Sequence, residues 1–199
     1  MKKTFIGMMV VLALGACTNC KQSSQEVVVE NIMSRVSVRS FTDEKPSDAQ
    51  IETLLRCAMA APSAMNKQPW AFVVVDDPAL LKQIGDSLPN TRVQNNAQVC
   101  FVILGDLRKT AQGDAEEFWI HDCSAATENL LLAAHSMGLG AVWCAIQPGQ
   151  DRINKLRRIL NIPQYLMPLC VVPVGYPAEE PQVKEKYKEE NIFHNAWQE

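Results

Sequence analysis

Four short apolar runs, at residues 71–75, 99–104, 141–146 and 169–174, constrain the fold of this chain more than any other feature. The first is closed by Pro69 on one side and by Asp76-Asp77-Pro78 on the other. Apolar runs of this length, bounded by breakers, suit buried strands and are too short for core helices. Between them the apolar spacing changes to a helical period. Ser47-Asp48-Ala49-Gln50 fits a capping box, and Ile51, Leu54, Leu55 and Ala58 follow on one helical face until Pro62 stops it. Pro78 suits a helix first turn, with Leu80, Leu81, Ile84 and Leu88 facing inward. Residues 115–137 form the longest helical stretch, punctuated by Gly138-Leu139-Gly140, and residues 27–33 and 151–160 predict two shorter helices. Helices alternating with four strands mean α/β or α+β, and the spacing leaves both open.

A chain of 199 residues with 47% hydrophobic content can bury one sizeable core and gives a single folded domain. Its net charge of −3, from 19 basic and 22 acidic side chains, argues against duplex nucleic acid as a partner. Seven cysteines are too few for a disulfide scaffold, and Cys57, Cys100, Cys123, Cys144 and Cys170 fall in apolar or helical stretches as buried thiols. The tail, residues 177–199, is charged and mostly non-periodic. Its Ile192, Phe193 and Trp197 have no core of their own, which points to packing on a partner subunit.

The first residues carry a different signal. Lys2 and Lys3 precede an uncharged stretch at residues 5–16, too short to span a bilayer as a helix. Leu14-Gly15-Ala16-Cys17 resembles the lipobox of bacterial lipoproteins, in which a peptidase cuts before the cysteine and acyl chains are attached to it. The resemblance implies a signal peptide at residues 1–16, a polar lipid-anchored tether at 17–25 and a folded domain at 26–199. It places the protein on a bacterial cell envelope, periplasm-facing or on the outer membrane, held by lipid on Cys17. Cys17 and Cys20 also read as C-x-x-C, but no second pair follows at zinc spacing.

Most catalytic motifs are absent, including G-x-S-x-G, H-E-x-x-H, a Walker loop and G-x-G-x-x-G. His121-Asp122-Cys123 reads as a turn of solvated helix surface. Two segments stand out. In an extended chain Arg35, Ser37 and Arg39 share one face, an arrangement that suits a phosphate dianion or a solvated edge. Residues 61–70, Ala-Pro-Ser-Ala-Met-Asn-Lys-Gln-Pro-Trp, form a loop rich in amide and hydroxyl groups, able to bind a planar heterocycle or to satisfy its own backbone.

These segments, with Glu128-Asn129-Leu130 through Gly140, Ala141-Val142-Trp143, the Gly175-Tyr176-Pro177 turn and Lys184-x-Lys186, resemble the nitroreductase family of flavoenzymes. The match runs in the family's order from about Val27 to Trp197. The resemblance implies an α+β fold with a central mixed, mainly antiparallel sheet flanked by helices, in a domain-swapped homodimer that binds FMN at the subunit interface. It places Arg35, Ser37 and Arg39 on the FMN phosphate and ribityl end, with Lys184 and Lys186 as further basic groups. Pro62, Ser63, Met65 and Asn66 match the loop that the other subunit lays against the flavin ring, and Asp122 aligns near that ring. Ala145 and Ile146 fall where backbone N–H groups point at flavin N5 and O4. The implied activity passes two electrons from NAD(P)H through N5 to a small acceptor such as a nitroaromatic or quinone, in ping-pong order, with no catalytic side chain. The alternative is a flavin-binding or flavin-processing protein of the same fold without NAD(P)H turnover. Val36 stands where the family is often basic or polar, and Lys186 where arginine is frequent, so the phosphate site is weaker than usual.

Overall fold

The computed structural model describes residues 23–111 and 113–197, and the expected signal segment and Cys17 lie outside them. The first described residues already form a helix. Ser23 Oγ accepts the Glu26 N–H at 3.2 Å, and Glu26 Oε2 accepts the Ser23 N–H at 2.8 Å. This capping box starts α1 (Ser24–Ser34), so residues 24 and 25, expected in a tether, are helical. The same reciprocal bonds between Ser47 and Gln50 open α2 (Asp48–Met59), as the spacing predicts.

Strand β1 (Trp70–Val75) is followed by α3 (Pro78–Ser87), which Asp77 caps by accepting the Leu80 N–H at 2.9 Å. Then come β2 (Val99–Asp106) and α4 (Phe118–Ser136). The long helix begins at residue 118 rather than 115, because Gly113–Ala115 make a separate 3-10 turn. Its end is set by Gly138 at φ 72°: Leu139 N–H reaches Ala134 O at 2.9 Å and Gly138 N–H reaches His135 O at 3.0 Å. Helix α5 (Gln150–Leu160) ends at Asn161, also left-handed at φ 53°. The last strand, β5, is Leu166–Gly175.

The expected strand at 141–146 is two short pieces, β3 (Gly140–Ala141) and β4 (Cys144–Ala145). Between them residues 142 and 143 fall outside the ladder, and Trp143 packs against the same core cluster as Ala141. Strand order is β1-β2-β5-β3, with β4 also on β5, and every strand pairing is antiparallel. One parallel bridge joins Ser37 to Ala141.

Both faces of the sheet are covered, and the two-residue period of β2 shows how. Val99, Phe101 and Ile103 face α2 and α4, whereas Cys100, Val102 and Leu104 face α3 and α5. A strand buried on both sides reads as a continuous apolar run, which is how it stands in the sequence. The tail beyond Pro177 forms no strand and is exposed throughout residues 179–197. Among the described residues no helix is long and apolar enough to cross a membrane.

Candidate functional site

Helix α1 is joined to α4 through polar groups. Asn31 Nδ2 donates to Leu132 O at 3.1 Å, Ser34 Oγ and His135 Nε2 share a hydrogen bond of 2.8 Å, and Arg35 Nε lies 3.3 Å from Glu128 Oε1. These contacts fix the start of an extended segment running from Arg35 to Phe41. Val38 N–H donates to Ala141 O at 3.0 Å, and Val38 packs with Phe41 and Ala97. Alternation then turns Ser37 and Arg39 outward, and both are exposed. A Cβ at Gly140 would approach Val38 to 2.6 Å, so glycine there lets the segment lie close to β3. Val36 points the other way, half-buried against the Val38 cluster, so it offers a backbone and no polar side chain. Arg35, predicted to grip an anion, is engaged by Glu128 within its own chain.

The next element of the site is backbone. Ala145 lies opposite Cys170, and the Ile146 N–H donates to Leu169 O at 3.0 Å. In an antiparallel ladder bonded and non-bonded pairs alternate, so the Ala145 N–H points away from β5. That side of the chain is the one on which residues 37–39 meet Ala141. Ile146 is therefore a correction: its N–H is taken by Leu169 and its side chain is fully buried. A bulge in β5 between the partners of Ile103 and Leu104 accounts for this, because it leaves Leu169 O to accept both Ile146 and Gln147 N–H.

Beside Ala145 the turn Pro89–Thr91 is clipped to β4 by the Cys144 Sγ contact with Thr91 O, at 3.1 Å. Burial pushes the Cys144 thiol up to about 11, while the charges of Arg92 and Arg39 pull it down. Arg92 has a left-handed backbone, φ 61°, and is exposed, and nothing in its spacing marks it in the sequence. Lys184 and Lys186 line a cavity of about 540 Å³ with Glu30, Met33 and Ser34, next to the start of the 35–39 segment. Glu179 and Glu180 line a smaller one, about 270 Å³, with Ser37 and Arg39.

The loop at residues 62–68 sits elsewhere. Met65, Asn66 and Gln68 are all left-handed, at φ 49°, 53° and 47°. Each such non-glycine residue costs on the order of 1–3 kcal/mol unless its surroundings hold it. Here Asp122 Oδ1 accepts the Ala64 N–H at 2.8 Å, Ser63 Oγ accepts the Gln68 N–H at 3.0 Å, and Asn66 Oδ1 accepts from Gln68 Nε2 at 3.0 Å. Asp122 is thus the buried fastener of this loop. Cys123 is buried as well, its thiol pushed up to about 12 by burial and by Asp122, so only His121 of that trio is solvated surface. The Pro62, Met65 and Asn66 side chains are left exposed. Thirteen residues separate Asp122 from His135 on α4, roughly 20 Å at 1.5 Å per residue. The 62–68 loop and the start of the 35–39 segment therefore stand toward opposite ends of one helix.

A model of the nitroreductase family matches residues 32–91 and 87–176, and the chain belongs to that family. A Parabacteroides distasonis crystal structure, whose name proposes an NADH dehydrogenase/NAD(P)H nitroreductase, is 42% identical with a TM-score of 0.80, covering 85% of this chain and 98% of that one. A Methanothermobacter thermautotrophicus protein with a name of the same kind is 36% identical over 170 residues, 85% of this chain and 87% of its own length. A Desulfovibrio desulfuricans structure, named as a proposed nitroreductase in complex with FMN, is 26% identical with a TM-score of 0.72, covering 85% of this chain and 97% of that one.

Proposed function

We propose that this protein is an FMN-dependent NAD(P)H oxidoreductase that works as a homodimer. The observation that carries the reading is the edge shared by Ser37, Arg39 and the outward Ala145 N–H. An exposed guanidinium on extended backbone suits the phosphate, and a lone edge N–H suits a ring heteroatom. FMN, when bound, supplies the two-electron chemistry at its N5 atom. The chain supplies binding and orientation: Ser37 and Arg39 at the phosphate, with Lys184 and Lys186 beside them, and the Ala145 N–H at the ring.

The strained 62–68 loop, pinned toward the other end of α4, presents its exposed side chains to the twin. Apolar surface supports the twin. Val27, Val28, Val29, Ile32 and Met33 of α1 are all about half exposed or more, and Trp197 is 73% exposed. A stripe of this kind marks a protein interface.

NAD(P)H then reduces and leaves before a nitroaromatic or quinone enters, which predicts parallel double-reciprocal lines; intersecting lines overturn that order. The main test is spectroscopic. Full-length protein incubated with FMN should show flavin absorbance that NAD(P)H bleaches. A colourless protein that takes up no FMN overturns the proposal, and a flavin that never bleaches leaves a binding protein without turnover. We also propose attachment to the cell envelope through lipid on Cys17; labelled palmitate that persists in Cys17→Ala overturns it.

A further inference from the structure

The cavity beside Ala145, about 200 Å³, is walled by Asn90, Thr91 and Ala145 and by Asp151, Arg152 and Lys155 from the start of α5. Its two cations are not equivalent. Lys155 Nζ lies 2.7 Å from Asp151 Oδ2, so that charge is met within the helix. Arg152 forms no ion pair among the described residues; its Nε donates to Ile146 O at 3.2 Å, one residue beyond the outward N–H. A Cβ at Gly149 would come within 2.7 Å of Arg152 Cζ, Nε and Nη2, so a side chain at 149 would displace the guanidinium from this place. Gly149 has φ −70°, so this glycine answers to space and not to backbone conformation.

We infer that Arg152 is the charge partner of the bound flavin, set at the ring edge where two-electron reduction deposits negative charge. This rests on the flavin reading of the Ala145 edge. If the Ala145 N–H meets the ring, the ring's polar rim lies in this cavity, whose one cation without a carboxylate is Arg152. A fixed guanidinium in a partly desolvated site favours the more negative of two states. It therefore raises affinity for reduced flavin more than for oxidised flavin, and the ratio of the two sets the reduction potential.

The test reconstitutes full-length protein with FMN and measures midpoint potentials by spectroelectrochemical titration. Arg152→Gln should weaken reduced flavin relative to oxidised flavin about tenfold, which for a two-electron couple lowers the potential by about 30 mV. Arg152→Lys should recover most of that shift. Gly149→Ala keeps the charge but displaces it, and should move the potential the same way by a smaller amount. Arg152→Gln with bound flavin at the wild-type potential overturns the inference and leaves the flavin reading standing. A wild-type protein that takes up no FMN overturns both. If Arg152→Gln loses its flavin or its fold, an unchanged potential in Gly149→Ala overturns the inference.

Discussion

The two ends of α4 solve opposite problems. Toward its C-terminal end the 35–39 segment is unstrained extended chain with Arg39 exposed, held by a backbone bond to Ala141 and the Arg35 contact to Glu128, just after the Ser34 bond to His135. Toward its N-terminal end the 62–68 loop is strained at Met65, Asn66 and Gln68 and pinned by Asp122 and Ser63. One end displays charge and lets the ligand supply order. The other has its order built in before any ligand arrives, at a cost in backbone strain. The difference teaches that the two ends offer different kinds of group, which the proposed homodimer would bring together across two chains.

The sharpest way to break this comparison is complementation. Arg39→Gln and Asn66→Ala homodimers should each bind FMN poorly. A mixed dimer of the two should regain one intact site of two, read as half-stoichiometric flavin on tagged heterodimers. Were both halves supplied by one chain, no mixed dimer would recover any. Next in size, Arg39→Gln should weaken FMN about 10–100-fold, from the roughly 1.5–3 kcal/mol of a charged hydrogen bond, while riboflavin binding stays unchanged. Fluorescence titration with the two ligands separates a phosphate contact from general damage.

Asp122→Ala tests the other end. Leaving the Ala64 N–H without its acceptor should cost about 1–3 kcal/mol, and a chain of this size should melt roughly 2–12 °C lower. Flavin uptake should fall with it although the 35–39 segment is untouched. The smallest effect concerns His135, whose value burial, and then Arg35, holds below the ordinary 6.5. The unfolded chain therefore takes up this proton first as pH falls. Stability from the neutral ring is whole above about 6.5 and is lost below it, toward the folded-state value. Melting temperature against pH should fall less steeply in His135→Gln across that window.

Local signals were legible in the sequence where the cause is local. The Ser47–Gln50 box, the Pro78 start and the Gly138 stop each act within a few residues. The box at Ser23 was as local, but its polar letters resembled a tether. The split between β3 and β4 was not legible, because the apolar run continues unbroken through Val142 and Trp143. Asp122 was hidden for the same reason: its partner Ala64 lies 58 residues earlier, and helical spacing cannot say which loop a helix meets. Arg152 stands on an amphipathic helix where arginine reads as solvated surface, and only Gly149 and Ile146 O mark it out.

The outward N–H of Ala145 carries a consequence for how this protein can vary. A donor on the main chain is supplied by nineteen of the twenty residue types, so the gene can drift at codon 145 while the N–H persists. A search for invariant side chains would pass over it. Proline alone removes the donor. Position 145 is thus free to reshape the pocket for new acceptors without disturbing the bond that the proposed function needs most.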